Sequence, residues 1–275
     1  MRLLQRPHHR NRRRSHLLVN PTLATPAADI PRRIHQIWYQ GAAALPDKYR
    51  RYRDTWMRRH PDWEFVFWDA PRMQALVDEH YPWFAARYAS FERDIQRIDA
   101  ARYLFLALHG GFYIDMDIEN LRPIDPLLPG RRLILSRTHG FNNALIGSAP
   151  GHPLWNTVLD RLAAGQSAPL DPAMPARLRE SPAMRTAVTV GPRFFTWCAQ
   201  QSGCLDDPAT LCCPGYYFEP GSPTPDGSSW PPANDPDGGY ARHHMDLNWL
   251  GLRHRLLSRL NRLLLPWLTR RLPLQ

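Results

Sequence analysis

The sequence predicts one α/β domain in which helices flank a mostly parallel central sheet. The first observation is composition, because 275 residues with 43% hydrophobic content suffice for a single large core. The second is an alternation of β-branched or aromatic runs with helical patterns, which is typical of parallel sheets. The third is a Gly-Gly break before an aromatic run that ends in Asp115 and Asp117. Because ligands bind beyond the carboxyl ends of strands in such sheets, these acids mark the expected site.

The first half of the chain alternates strand and helix. Hydrophobic patterning predicts strands over residues 33–39 and from Glu64 to Trp68. Helical spacing predicts helices from Asp47 to Arg59, from Pro71 to His80, and from Arg93 to His109. The last of these helices is stopped by the Gly-Gly pair and leads into the acidic strand end.

Fewer strands and helices are predicted in the second half of the chain. Two short strands are expected, from Leu133 to Ser136 and from Ala144 to Gly147. Helical patterns follow at about His152 to Ala164 and near Phe194 to Gln200. The segment from Pro214 to Tyr240 is crowded with Pro, Gly and Ser, so we expect a long loop that could act as a lid.

The acidic strand end is the main candidate for chemistry. Side chains two apart on a strand point to the same side, so Asp115 and Asp117 would face one site and repel each other. Mg²⁺ or Mn²⁺ would relieve this repulsion, because such ions are held by carboxylates together with substrate phosphates. An EF-hand loop is excluded, since its Gly and Glu positions hold Asn120 and Pro126. A solvated strand end is the remaining alternative for the Asp-x-Asp pair alone.

The net charge of +10 is concentrated in the two tails. Residues 1–28 and 247–275 each carry six arginines and no acid. Without these twelve arginines, 23 of the 35 basic residues remain against 25 acidic ones, which leaves a net charge of −2. The body of the protein therefore need not present a basic face to nucleic acid.

These tails divide the chain into three predicted segments. Residues 1–28 form a disordered basic arm, because they mix Arg, His and Pro and have no apolar run of signal-peptide length. Residues 29–250 form the folded domain. Residues 251–275 repeat Leu at helical spacing among arginines, which predicts a basic amphipathic helix. That helix could lie on an anionic membrane or pack against protein, and both alternatives stay open.

Several ordered blocks together resemble a known family. They are the run from Ile30 to Gly41 (IPRRIHQIWYQG), Asp99 with Arg102, and the run from Gly110 to Asp117 (GGFYIDMD). Further matching blocks are Asn143 to Gly147, Gly151 to Pro153, Thr189 to Pro192, Tyr217 to Pro220 and His243 to Trp249. In this order and spacing they resemble the DXD-containing sugar-transfer family, which includes Golgi and inositolphosphoceramide mannosyltransferases and bacterial capsular polysaccharide transferases. Large glucosylating toxins are its distant relatives.

The resemblance implies roles for particular residues in a GT-A type fold. It implies that Trp38 stacks on the nucleotide base of the donor. Asp99 and Arg102 would hold hydroxyls of the donor sugar, with the guanidinium also near the diphosphate. Asp115 would contact the ribose and the sugar, and Asp117 would bind the metal directly.

The end of the folded domain completes the implied site. His244 and Asn248 would complete the metal shell, and Trp249 would cover the diphosphate. The family pattern usually has Ser before this Trp. Asn248 stands in that place, and its side-chain oxygen can still serve as a ligand.

The implied activity is a metal-dependent, configuration-retaining transfer of a sugar from a UDP- or GDP-sugar, with Mn²⁺ or Mg²⁺ as cofactor. The acceptor would be a glycan or a glycolipid, in cell-surface polysaccharide synthesis at the cytoplasmic face of the membrane. A glycosylating effector that modifies protein is the alternative of the same chemistry. A nucleic-acid-binding protein that uses its arginine-rich tails is the alternative of another class, and the near-neutral body disfavours it.

Overall fold

The computed structural model describes residues 29–137, 140–219 and 238–246. The strands are β1 (Arg33–Ile37), β2 (Glu64–Trp68), β3 (Gly111–Ile114), β4 (Ile118–Asn120), β5 (Leu133–Arg137), β6 (Phe141–Ser148), β7 (Thr210–Pro214) and β8 (Ala241–His243). The helices are α1 (Asp47–Arg59), α2 (Ala70–His80), α3 (Ala85–Ala89), α4 (Asp94–His109), α5 (Leu154–Ala163), α6 (Ala176–Arg179), α7 (Pro182–Thr189) and α8 (Pro192–Gln201).

Within these ranges, six strands form the central sheet in the order β2-β1-β3-β6-β5-β7. Strands β1, β2 and β3 pair in parallel, and so do β5 and β7. Strand β6 lies between β3 and β5 and is antiparallel to both. The predicted mostly parallel α/β sheet is therefore confirmed, with β6 as its reversed strand. Strands β4 and β8 form a separate antiparallel pair.

The apolar side chains of the sheet divide between its two faces. On one face, Tyr113 and Ile146 pack with helices α2, α4, α5 and α8. On the other face, Phe112 and Ile114 pack with Trp56 of α1. This alternation follows from the period of two along a strand. The two layers of helices leave the carboxyl ends of β1 and β3 at one edge of the sheet.

The predicted helices and strands of the first half lie close to the expected positions, and the second half differs more. Strand β6 begins at Phe141, three residues before the predicted start at Ala144. The patterns did not predict β7 or the short pair β4 and β8. Each has only three to five residues, so its pairing depends on distant segments and leaves little local signal.

The Gly-Gly break joins α4 directly to β3. Gly110 ends the helix with φ of 62°, and Gly111 begins the strand with φ of 94°. A Cβ atom on Gly111 would lie 2.7 Å from the carbonyl oxygen of Arg33 on the neighbouring strand β1. Only glycine fits this close approach of two backbones. The junction fixes the helix relative to the strand end.

Several predicted features lie outside the described residues. They are the arm over residues 1–28, the helix over residues 251–275, Asn248 and Trp249. Most of the predicted loop from Pro214 to Tyr240 also lies outside, although residues 214–219 and 238–240 are described, and Pro214 is the last residue of β7. None of the helices in the described ranges has the length and apolar character needed to cross a membrane.

Two buried histidines are expected to lower the stability of this fold in acid, because they resist protonation. In His35, Nε2 lies 2.9 Å from the carbonyl oxygen of Gly110, and Nδ1 accepts a hydrogen bond from the indole of Trp68 at 3.0 Å. Burial lowers the pKa of His35 from 6.5 to about 3 and that of His152 to about 4. Below pH 6.5 these two histidines therefore bind protons in the unfolded chain but not in the folded one. Each of them should lower the stability by about 1.4 kcal/mol for each pH unit of acidification.

Denaturant titrations at pH 7, 6 and 5 measure this dependence, and His35→Gln is the informative variant. Glutamine keeps an amide donor for the Gly110 carbonyl but takes up no proton. The variant should lose the pH dependence of one histidine, whatever its stability at pH 7. An unchanged slope would show that His35 is not protonated on unfolding.

Candidate functional site

The DXD sequence forms the turn between β3 and β4. Strand β3 ends at Ile114, one residue before the first acid. The backbone N–H of Asp115 donates to the carbonyl of Ala144 on β6 at 2.8 Å, and the N–H of Ile118 closes the turn on the carbonyl of Asp115 at 3.1 Å. The two acids share a side because of this turn, and not because of strand alternation as predicted.

Three side chains that could hold a metal ion meet at this turn. Asp115, Asp117 and His243 each offer one ligand atom, and these atoms lie within 4.8 Å of one another. His243 Nε2 is 3.3 Å from Oδ1 of Asp117. We call these three residues the cation site.

The charges in the cation site depend on one another. Burial raises the pKa of Asp115. Burial also opposes ionisation of Asp117, but His243 and the backbone N–H of Asp246 outweigh it and lower the pKa of Asp117. Burial would lower the pKa of His243, but Asp117 and Glu219 raise it well above its usual value. A proton on His243 therefore balances the acids where a cation would otherwise do so.

The donor set fits a divalent cation. Two carboxylate oxygens and one imidazole nitrogen are ligands that Mn²⁺ accepts, whereas Mg²⁺ prefers oxygen ligands alone. The side chains of Asp117 and His243 are 16% and 11% exposed, so a cation there would still be open to a substrate.

The structure brings His243, and not His244, to the two aspartates. In β8, Ala241 and His243 face inward while Arg242 is exposed, as expected for alternating side chains. His244 follows the strand, and its ring stacks on Tyr52 of α1 with centroids 4.3 Å apart. Its Nε2 contacts Glu119 at 3.1 Å. The structure therefore does not bring His244 to the two aspartates, and Asn248, the other predicted ligand, lies outside the described residues.

Asp99 and Arg102 form a buried ion pair on α4 beside the cation site. Arg102 Nη2 lies 2.7 Å from Oδ1 of Asp99, and Nη1 lies 3.6 Å from Oδ1 of Asp115. The guanidinium also lies 4.3 Å from the ring centroid of Tyr113. Burial raises the pKa of Asp99 to about 7, although Arg102 opposes this shift. The predicted pair is therefore in contact with the DXD turn.

Side chains that the site prediction did not include support this pair. Asn143 of β6 donates to Oδ1 of Asp99 at 3.2 Å and to the hydroxyl of Tyr103 at 3.0 Å. Its carbonyl accepts from Arg102 Nη1 at 2.7 Å. The hydroxyl of Tyr113 donates to Oδ1 of Asp115. Asn143 stands in one of the matching blocks, so the resemblance carried a signal for it.

Trp38 lies at the same edge, directly after β1. Its indole N–H donates to the carbonyl of Ala44 at 3.1 Å, and its ring is 5.2 Å from that of Tyr49. The side chain is partly exposed and packs near Met116 of the DXD turn. It therefore lies near the turn with part of its side chain exposed. Its predicted stacking on a base stays a prediction.

Hydrogen bonds also connect α1 to the segment after β8. Lys48 Nζ donates to both carboxylate oxygens of Asp246, at 2.8 and 2.6 Å. The backbone N–H of Asp246 donates to Oδ2 of Asp117 at 2.9 Å. Asp117 is thereby held by backbone from a segment 129 residues away in sequence.

Comparison with known proteins identifies this region. Residues 46–134 match the family described as "Glycosyltransferase sugar-binding region containing DXD motif". The chain is 34% identical over 139 residues to inositol phosphoceramide mannosyltransferase 1 of Schizosaccharomyces pombe, which covers 49% of this chain and 43% of that protein. It is 32% identical over 139 residues to mannosyl phosphorylinositol ceramide synthase CSH1 of Saccharomyces cerevisiae, covering 50% and 36%. The chain thus matches less than half the length of these relatives.

The fold has a counterpart among solved structures. The ligand-free glycosyltransferase domain from the YGT toxin superposes with a TM-score of 0.51 at 9% identity, over 67% of this chain and 80% of that one. At this identity the likeness concerns the fold alone, and it confirms the predicted GT-A type architecture. The family match runs from α1 to the first two residues of β5 and includes Asp99, Arg102 and both acids of the turn. Residues 46–134 are therefore similar to the sugar-binding region of the DXD-containing glycosyltransferase family, which confirms the resemblance seen in the sequence.

Proposed function

We propose that this protein is a metal-dependent glycosyltransferase that moves a sugar from a nucleoside diphosphate donor to a glycan or glycolipid acceptor. One observation carries the proposal, namely that the cation site lies in contact with the buried pair of Asp99 and Arg102 at the carboxyl edge of the sheet. Such an edge is where ligands bind in open α/β sheets. A diphosphate needs cationic partners, and sugar hydroxyls need polar ones. The cation site and the pair of Asp99 and Arg102 provide both kinds of partner within one small region.

The chain's own residues supply complementary parts of this chemistry. Cleavage of the sugar–phosphate bond leaves negative charge on the diphosphate, and the fixed guanidinium of Arg102 can stabilise it. Asp99 is held by Arg102 and Asn143, so its second oxygen can accept from a sugar hydroxyl. A cation bound by Asp115, Asp117 and His243 would supply Lewis acidity at the diphosphate.

The finer parts of the proposal rest on the resemblance and on the relatives. Retention of configuration is proposed from the resemblance alone. The names of two relatives specify mannose transfer to an inositol phosphoceramide, so we propose a hexose donor and a phosphate-containing lipid or glycan acceptor. The toxin likeness concerns the fold and does not favour a protein acceptor. Membrane contact through residues 251–275 and a cytoplasmic location stay proposals, which liposome flotation with and without that segment would test.

Hydrolysis of nucleotide sugars without an acceptor tests the core of the proposal. We expect the protein to release sugar from one UDP- or GDP-sugar when Mn²⁺ is present, and to lose this activity in EDTA. Because His243 offers nitrogen, Mn²⁺ should support more activity than Mg²⁺. Absence of both hydrolysis and calorimetric binding across a panel of nucleotide sugars would contradict the proposed function.

A further inference from the structure

We propose that Glu219 is a positioning residue that orients His243 for cation binding, and that Asn142 holds Glu219 in place. This inference rests on the proposed function, because it concerns how the cation site is supported. Glu219 is 5% exposed and follows the short helical turn after β7. Within the described residues, the segment after β7 offers no ligand to the cation site.

The ring of His243 lies between two carboxylates. Its Nε2 is 3.3 Å from Oδ1 of Asp117, and its Nδ1 is 3.7 Å from Oε1 of Glu219. One nitrogen thus faces the cation site and the other faces away from it. The side chain of Glu219 is 6% exposed, so its charge is shielded little by solvent.

This arrangement is the one that an imidazole ligand requires. A neutral histidine that offers the lone pair of Nε2 must carry its proton on Nδ1, and that N–H needs an acceptor when it is buried. Nδ1 of His243 is buried and makes no hydrogen bond within the described residues. The carboxylate that faces it is that of Glu219. A small approach would close the 3.7 Å separation into a hydrogen bond and fix the tautomer and the ring plane.

Asn142 connects this carboxylate to the central sheet. Its side-chain amide donates to Oε1 of Glu219. Its own Oδ1 accepts from the backbone N–H of Ala144 at 2.8 Å, which fixes the orientation of the amide. A continuous series of contacts therefore runs from β6 through Asn142 and Glu219 to His243.

The neighbouring pair of Glu119 and His244 provides a matched control. Its contact is the same in kind, since Nε2 of His244 lies 3.1 Å from Oε2 of Glu119. Neither residue belongs to the cation site. Removing the carboxylate of Glu119 makes the same change at His244, the residue that follows His243. It also tests the alternative that His244 is the ligand.

Electron paramagnetic resonance of Mn²⁺ measures affinity without any catalytic readout. We expect Glu219→Ala to weaken Mn²⁺ binding about 10- to 100-fold, in the range seen when such outer carboxylates are removed. Glu219→Gln should restore most of the affinity, because its amide oxygen can accept from Nδ1–H. Asn142→Ala should weaken binding by a smaller factor, and Glu119→Ala should leave it within about twofold of the wild type.

The outcomes separate this proposal from the proposed function. Wild-type affinity in folded Glu219→Ala would overturn the role of Glu219, and so would loss of affinity in Glu119→Ala alone. If Glu219→Ala does not fold in EDTA, Asn142→Ala decides, because unchanged affinity there would contradict the supporting contacts. Failure of the wild type itself to bind Mn²⁺, with Asp117→Asn indistinguishable from it, would instead remove the proposed function.

Discussion

Asp117→Asn is expected to lower sugar transfer by at least about 1000-fold, which corresponds to about 4 kcal/mol of transition-state stabilisation. The substitution removes the negative charge from the centre of the cation site, where Asp117 lies 3.3 Å from His243. It should leave the fold intact, because the Asn oxygen can still accept from the backbone N–H of Asp246. Turnover of the donor and Mn²⁺ affinity should therefore fall together while the unfolding midpoint changes little.

Asp207→Asn is the matched control for this experiment. Asp207 is also paired, with Arg132 at 2.7 Å, but it lies at the other end of β5 and β7 from the candidate site. We expect its activity to stay within twofold of the wild type. Near-normal turnover in Asp117→Asn, with the metal requirement intact, would show that Asp117 is not a ligand.

Arg102→Met is expected to cause the largest loss of stability, about 3–5 kcal/mol. The side chain of Arg102 is 3% exposed and faces Asp99 at 2.7 Å and Asp115 at 3.6 Å. Methionine fills similar space but leaves both acids without the guanidinium between them. Arg102→Lys should lose less stability, since it keeps the positive charge. It should also lose most activity, because one ammonium group cannot replace the several N–H donors of the planar guanidinium.

The pH dependence of Arg102→Met tests this explanation. Burial already raises the pKa of Asp99 to about 7, and loss of Arg102 should raise it further. A folded pKa above the unfolded value means that the folded protein binds more protons, so stability falls as pH rises between the two. Relative to the wild type, Arg102→Met should therefore regain stability between pH 8 and pH 5, as measured by denaturant titration of both proteins. Asp99→Asn in the same protein should remove part of this dependence, and wild-type stability at pH 8 would contradict the argument.

The predicted site residues that the structure brings together are local in the chain. Asp99 and Arg102 are three residues apart on one helix, and the turn follows after the Gly-Gly junction. Helical spacing and a glycine break both involve residues that are close in sequence, so the sequence pattern alone predicts them. The same holds for α1, whose predicted bounds from Asp47 to Arg59 agree with the structure.

What the sequence could not predict depends on pairing between distant segments. The choice between His243 and His244 is set by the register of β8 against β4, in which Ile118 pairs with His243. Neither three-residue strand has a pattern of its own, and a shift of one residue would exchange the two histidines. Glu219 likewise lies near the site because β7, which precedes it, pairs with β5. The residues around Glu219 have no pattern that predicts this position.

The pairing of β4 with β8 has a consequence for how the protein acquires its site during folding. Strand β3 and its turn can form with β1 and β6 from residues within about half of the chain, but β8 must close a much longer loop first. We therefore expect an assembly order in which the sheet with Arg102 and both aspartates forms early and His243 arrives last. The sheet would therefore be folded before the protein can bind a cation. The late pairing of β8 with β4 would complete the cation site.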